Sequence, residues 1–318
     1  MAIVIAECCG NHNGSVDLLL EMVERAADTG ADYCKMQSQS TTDLTSRPGF
    51  EDGKKNPDGS VKRIERPYAQ EVERLKVLDL PEGTDEKFIA ACEKTGIKAL
   101  TTVFTRQQIP RLRSLGWDDV KVASPDCASF VMLEELKTAF KRVIISTGMM
   151  YDNEIAQAAK IMGDTEFAFL HCVSIYPTPL NKLHLARMEW LRGFTSTVGF
   201  SDHSLVDRDG ILASVAALAF GANIIERHFT LLPRGETRDG PVSINPEELG
   251  ELVGFAAMKP SPVLEWCQSN IPSLSEVEGT ANREMTDGEL LNRDYYRGRF
   301  ASSVDGRWVF NWEDEPVS

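Results

Sequence analysis

Residues 196–230 read STVGFSDHSLVDRDGILASVAALAFGANIIERHFT, and this stretch decides the fold. It opens on a β-forming run at 196–201, passes through a helical stretch that stops at Gly221, and closes on a second β-rich run at 223–229. A strand, a helix and a strand of these lengths make a βαβ unit, which sets the two strands side by side and parallel. Each run carries a histidine at or just past its end, His203 and His228, and the chain has only five histidines to place.

The same rhythm extends outward from this unit. Strands are expected at 3–7, 32–37, 98–104, 119–124, 142–147 and 167–173, which with the two above make eight. Amphipathic stretches lie between them; the first, from Val16, ends at Gly30, as a helix with a glycine cap does. A further helical stretch from Pro246 follows the eighth strand. Eight such units predict an α/β fold of the (β/α)8 TIM-barrel type over residues 1–260. A doubly wound open sheet fits less well, because no glycine-rich dinucleotide loop follows the first strand. Two segments break the pattern. Residues 38–83 form a long polar connection, a candidate lid. Residues 261–318 read as a C-terminal tail of little core periodicity that finishes in a β-hairpin turning at Asp305 and Gly306.

Composition narrows the function. With 318 residues, 42% of them hydrophobic and 26% charged, the chain reads as an ordinary soluble globular protein. No window approaches a membrane span, and the short run AIVIAE lacks the basic flank of a signal peptide, so a cytoplasmic location is expected. Seven scattered cysteines without zinc-ligand spacing read as reduced thiols. A net charge of -14 argues against nucleic acid or an anionic membrane as partner. An anionic small substrate would need lysines concentrated in one cleft.

In a barrel of this type the chemistry sits at the C-terminal strand ends. The successive ends carry Glu7; Lys35 and Gln37; Thr102; Lys121, Ser124 and Asp126; Ser146; His171, Ser174 and Tyr176; Ser201, Asp202 and His203; and Glu226 with His228. Residues two apart share a strand face, so Lys35 pairs with Gln37, Ser201 with His203, and Glu226 with His228. A lone histidine after a strand is more often a hydrogen-bonded loop residue than a ligand, and strand-end hydroxyls often cap the next helix. Two histidines on adjacent strands can converge on one ion. Lysine is rarely buried unpaired, so Lys35 and Lys121 either bind anionic oxygens or form a Schiff base, with Glu7 and Asp126 as potential neutralising partners.

Taken together, AECCGNHNGS (6–15), KMQS (35–38), HCVSIYPTP (171–179), VGFSDHSL (198–205) and ERHFT (226–230) resemble the sialic acid synthase family. That family includes the legionaminic and pseudaminic acid synthases and spore-coat polysaccharide synthase-like proteins, and it condenses phosphoenolpyruvate with an N-acylated amino sugar. The resemblance runs in order from Ile3 to Leu249. It implies that His203 and His228 hold a divalent cation, Mn2+ or Mg2+. It implies that Lys35, Thr102, Lys121, Ser124, Ser146, Ser174 and Ser201 bind phosphoenolpyruvate, and that Glu7, Tyr176 and Asp239 contact the sugar. Asp126 takes the place of an acidic residue, often glutamate, that orients or deprotonates the attacking water, so the implied catalytic set is Glu7, Asp126, His203 and His228.

The chain also departs from the family. Ser174 stands where some relatives have asparagine, and TLLPRGETRDGPVSINPEEL (230–249) differs from the frame of the N-acetylneuraminate-forming members, leaving the sugar open. The family pattern adds an antifreeze-like domain that supplies an arginine across a homodimer. Residues 261–318 are read as a tail without that domain, covering a barrel mouth in its own or a partner subunit, with Arg297 or Arg299 in place of the missing arginine. Two other readings are a Schiff-base aldolase using Lys35 or Lys121 and a non-catalytic barrel that binds a sugar phosphate.

Overall fold

The computed structural model describes residues 1–47, 49–314 and 316–317. Eight parallel strands close into a barrel: β1 Ile3–Glu7, β2 Tyr33–Ser38, β3 Lys98–Val103, β4 Asp119–Val122, β5 Arg142–Ser146, β6 Glu166–Cys172, β7 Val198–Asp202 and β8 Ile224–His228. Every expected strand is present.

Period-two alternation explains the barrel interior. Near the N-terminal end it is packed with Ile5, Tyr33, Leu100, Ile144, Ala168, Leu170 and Ile224. Two residues further along the same strands, on the same face, come Glu7, Lys35, Thr102, Ser146, Cys172 and Glu226. An apolar plug thus carries a polar layer. Register levels the partners: Glu7 lies opposite Lys35 on β2 and His228 on β8, Thr102 opposite Lys121, and Ser201 opposite Glu226.

Helices cover the outside. Val16–Asp28 starts at Ser15, whose hydroxyl accepts the Leu18 N–H at 3.1 Å, and buries Leu19, Met22, Val23 and Ala26. Helix Leu212–Ala219 is buried almost all round because helix Pro260–Asn270 lies across it. Residues Val263, Cys267, Ile271 and Val277 join the main core, so the segment just beyond Lys259 is more deeply packed than its weak periodicity suggested.

The remaining segments form a roof over the barrel's own mouth. Within 38–83 lie a short turn at Thr41–Asp43, a ribbon of Lys54–Lys55 with Val61–Arg63, and helix Tyr68–Lys76. The tail supplies helix Asp287–Tyr296, started by a Thr286/Glu289 capping box, and hairpin strands β9 Ala301–Val304 and β10 Arg307–Phe310, which turn at Asp305 and Gly306 as expected. The two halves grip each other through arginines. Arg66 donates to the Tyr295 carbonyl at 2.7 Å, Arg47 to the Asp294 carbonyl at 2.9 Å, and Arg63 pairs with the Asp294 carboxylate at 3.1 Å. The Phe50 ring meets the guanidinium carbons of Arg47, Arg63 and Arg66 at 4.5, 5.0 and 5.1 Å. Among the described residues no helix is long and apolar enough to cross a membrane.

Candidate active site

The mouth encloses a cavity of about 490 Å³, and its floor is the polar layer of the barrel. Lys35 Nζ donates to Thr102 Oγ1 at 2.9 Å, pairs with Glu7 Oε2, and lies 3.4 Å from Glu226 Oε2. Lys121 Nζ donates to Ser146 Oγ at 2.6 Å and to the Val122 carbonyl at 2.9 Å, with Glu226 Oε1 at 3.9 Å. Ser201 Oγ donates to Glu226 Oε1 at 2.9 Å. All of these side chains are buried.

Burial and pairing compete at each charge. Burial would raise the pKa of Glu226, but Lys121 and Lys35 outweigh it and hold the carboxyl down at about 2. Burial dominates at Lys121 and lowers it to about 8, although Glu226 pulls the other way. Burial also acts against the charge on Lys35, where Glu226 and Glu7 more than compensate and raise the pKa. Both lysines therefore carry their proton at neutral pH.

On its β4–β5 side the floor forms a hydroxyl-lined cradle. Ser124 and Ser146 line it, and the Gly148 N–H points to Ser124 Oγ at 3.1 Å. A Cβ at Gly148 would stand 2.2 Å from Ser174 Oγ and 2.9 Å from Ser124 Oγ, so only glycine lets the chain come this close. Ser174 supports the cradle from behind: it is fully buried, does not line the cavity, and accepts a bond from Asn292 at its carbonyl.

On the opposite side β7 and β8 bring His203 and His228 together, with ring centroids 5.0 Å apart. Tyr176 covers His203 at 4.2 Å. Burial holds His203 well below the ordinary histidine pKa, leaving the neutral imidazole that ligates metals. The turn that carries it is anchored outside the barrel by Arg227, whose Nη1 meets Asp202 Oδ1 at 2.6 Å with both side chains fully buried. Asp202 also accepts from the Ser204 N–H at 2.8 Å and Ser214 Oγ at 2.6 Å. Beside the histidines, Glu7, Cys9 and His228 offer donor atoms all within 4.8 Å of one another. Buried nitrogen, oxygen and sulfur donors of this kind suit a divalent cation.

Most of the residues singled out in the sequence meet here. Glu7, Lys35, Thr102, Lys121, Ser124, Ser146, Tyr176, Ser201, His203, His228, Asp239 and Arg299 all line the cavity. Two others do not. Asp126 is drawn into the short turn Ser124–Asp126, where it accepts from Ser129 Oγ at 2.9 Å and Asn311 Nδ2 at 3.5 Å, and burial raises its pKa to about 7. The carboxylates on the cavity wall are instead Glu7, Glu226 and Asp239, which moves the expected water-handling role away from Asp126. Arg297 points away as well, paired with Glu313 and stacked 4.8 Å over Trp312.

Some lining residues had been given no role in the site. Glu226 bridges both lysines; its signal was its place two residues before His228 on one face. Asn292 and Tyr296, four apart on the tail helix, reach the cavity beside Arg299, whose Nε donates to Glu71 at 2.8 Å. Burial would raise the pKa of Glu71, but Arg74 and Arg299 hold it down at about 2. Arg238 also lines the wall.

Comparison with known proteins agrees with the barrel fold. The NeuB family model matches residues 22–258. An uncharacterised protein of Methanocaldococcus jannaschii is 35% identical over 94% of this chain and 82% of its own length. The N,N'-diacetyllegionaminic acid synthase of Campylobacter jejuni is 32% identical over 78% of this chain and 73% of its own. Among solved structures, an N-acetylneuraminic acid synthetase of Leptospira borgpetersenii superposes with a TM-score of 0.70 at 25% identity, covering 92% of this chain and 90% of that one. A family match that spans most of the barrel, with relatives aligned along most of their own lengths, places the chain in the NeuB family.

Proposed function

We propose that the protein condenses phosphoenolpyruvate with the open-chain form of an N-acylated amino sugar or related aldose, forming a nonulosonic acid and releasing inorganic phosphate. The observation that carries this reading is the meeting, in one cavity, of a two-lysine floor and a histidine pair. A trianionic phosphate-carboxylate ligand fits the first, through charge-assisted bonds from Lys35 and Lys121 and hydroxyl donors from Thr102, Ser124, Ser146 and Ser201. The second suits an acceptor's carbonyl end. His203 and His228 would hold a divalent cation, which when bound acts as a Lewis acid on an aldehyde oxygen and makes its carbon electrophilic.

The rest of the assignment follows from positions. The enol carbon of phosphoenolpyruvate forms the new C–C bond to the aldehyde carbon, and water adds at the phosphate-bearing carbon. The C–O bond to phosphate then breaks. Glu7, fixed by Gln37 at 2.8 Å and the Cys9 N–H at 3.0 Å, is placed to orient acceptor hydroxyls or take a proton from water. Tyr176, Asp239 and Arg299 shape the acceptor side. Arg299 comes from the chain's own tail, so the roof would supply the arginine that the family pattern draws from a neighbour.

The test is phosphate release from phosphoenolpyruvate with a panel of N-acylated hexosamines, run with and without chelator. Release that depends on one sugar and stops with chelator supports the reading; phosphoenolpyruvate labelled with 18O at the bridging oxygen should pass the label to phosphate. Label left in the organic product would sink the C–O cleavage step. One observation favours a Schiff-base aldolase instead: burial lowers Lys121 to about 8, closer to a nucleophilic amine. Borohydride trapping with pyruvate, unaffected by chelator, would reveal it.

A further inference from the structure

We propose that Cys9, with Glu7 beside it, joins His203 and His228 as a protein ligand of the cation, making the site a mixed nitrogen, oxygen and sulfur centre that prefers borderline-soft divalent ions to Mg2+. The proposal rests on the metal reading above and adds to it. Strand β1 ends at Glu7, and the two cysteines that follow part company. Cys8 donates its N–H to the Lys35 carbonyl at 2.8 Å and sends its sulfur outward, 3.4 Å from the Cys34 sulfur in the helix-facing core. Cys9 lies on the other side, 2% exposed, above the barrel end.

Three observations then converge on its thiol. Its sulfur, a Glu7 carboxylate oxygen and a His228 ring nitrogen all fall within 4.8 Å of one another. Ligands bound to one ion at about 2.0–2.3 Å stand roughly 3–4 Å apart, so small side-chain rotations bring all three to a common centre. Glu7 Oε2 meets Lys35 and no other donor, so one of its lone pairs is left for the ion. Finally, Cys9 holds φ at 39°, the left-handed region that glycine fills without strain. A side chain kept at such a position beside a cavity points to use of the side chain.

Donor chemistry sets the expected preference. Magnesium favours an all-oxygen octahedron, whereas thiolate with imidazole suits Zn2+, Co2+ and Fe2+. A second sulfur must be separated from Cys9: Cys172 Sγ lies 3.6 Å from His203 Nδ1.

The experiment titrates the chelator-treated, full-length protein with Co2+ and follows its absorption spectrum. Wild type is expected to show a near-ultraviolet sulfur-to-cobalt charge-transfer band together with the visible bands of a bound ion. Cys9→Ser should lose the first and keep the second, and its Zn2+ over Mg2+ preference should fall at least tenfold in competition. Cys9→Gly, which suits the backbone, is the second variant should serine disturb the fold, and Cys172→Ser should keep both bands. Bound Co2+ without the sulfur band in wild type, or a band that survives Cys9→Ser and vanishes in Cys172→Ser, overturns the proposal. Absence of bound Co2+ overturns it together with the metal reading. Chelator-sensitive phosphate release without a sulfur band removes Cys9 alone; a sulfur band with no phosphate release for any acceptor removes the synthase reading alone.

Discussion

The floor and the roof of the cavity are built on different physics. The floor sits on an apolar plug inside a closed barrel, where every charge is buried and each lysine has a carboxylate partner. The roof joins two segments far apart in sequence through partly exposed arginines, aromatic faces and backbone carbonyls. Charges in the floor are held where loss of one partner is severe, whereas Arg47, Arg63 and Asp294 in the roof exchange with water at little cost. On the proposed reading the floor would fix the chemistry, and the roof would govern access and acceptor fit.

The largest effect should come from breaking the floor. Lys121→Met leaves Glu226 buried with half its compensation, and should cost about 3–5 kcal/mol by denaturant midpoint. Phosphoenolpyruvate affinity should fall on the order of 100-fold by calorimetry, as for truncation of a buried charge partner. In wild type the same affinity should weaken as pH rises through about 8, where Lys121 loses its proton, and Lys121→Arg should flatten that limb. Retained affinity in Lys121→Met would show that the floor is not the anion site.

The joint between floor and roof should respond next. Asp126, tucked under Asn311, has a folded pKa of about 7 against an ordinary value near 4. The folded chain then holds more protons than the unfolded chain between those values, so this group's contribution to stability is lost as pH rises from 4 through 7. Asp126→Asn should remove that slope and gain about 4 kcal/mol at pH 8. A parallel shift at every pH would contradict the buried, protonated state.

Roof changes should be smaller and selective. Arg299→Ala should raise the acceptor Michaelis constant roughly tenfold, about 1.4 kcal/mol, with phosphoenolpyruvate affinity unchanged. Equal loss for both substrates would merge the two regions into one. Least of all, raising salt should quicken amide exchange in 38–83 and 287–310 while the strands stay protected, because exposed ion pairs of up to about 1 kcal/mol are screened. Uniform exchange would show that the roof is part of the barrel's cooperative unit.

The same contrast decides what could be read in advance. Strand alternation is a local signal, so the barrel, its mouth and the inward face of Lys35, Thr102, Glu226 and His228 were legible from spacing alone. Asp126 was misplaced because a three-residue turn, not a strand, sets its direction. Arg297 and Arg299 are two apart, and only the helix end at Tyr296 and the anchor at Glu71 decide which of them faces inward. The roof's pairings leave no periodic trace: Arg47, Arg63 and Arg66 gather on Phe50 within one segment, but their partners Asp294 and Tyr295 lie more than 200 positions away. Cys9 and Gly148 owe their places to backbone geometry at strand ends, where alternation stops.

The arginine latch also bears on how the chain folds. Arg47 contacts a carbonyl 247 positions further along, a span comparable to the one that closes β1 on β8, but it is held by a few partly exposed contacts where the barrel has a buried core. The barrel can therefore assemble first as an open cup, with its lysines and histidines already at the rim. The lid settles only after the last fifty residues arrive. Refolding followed at Phe50 and at the barrel interior should consequently show two phases, with the slower one belonging to the mouth.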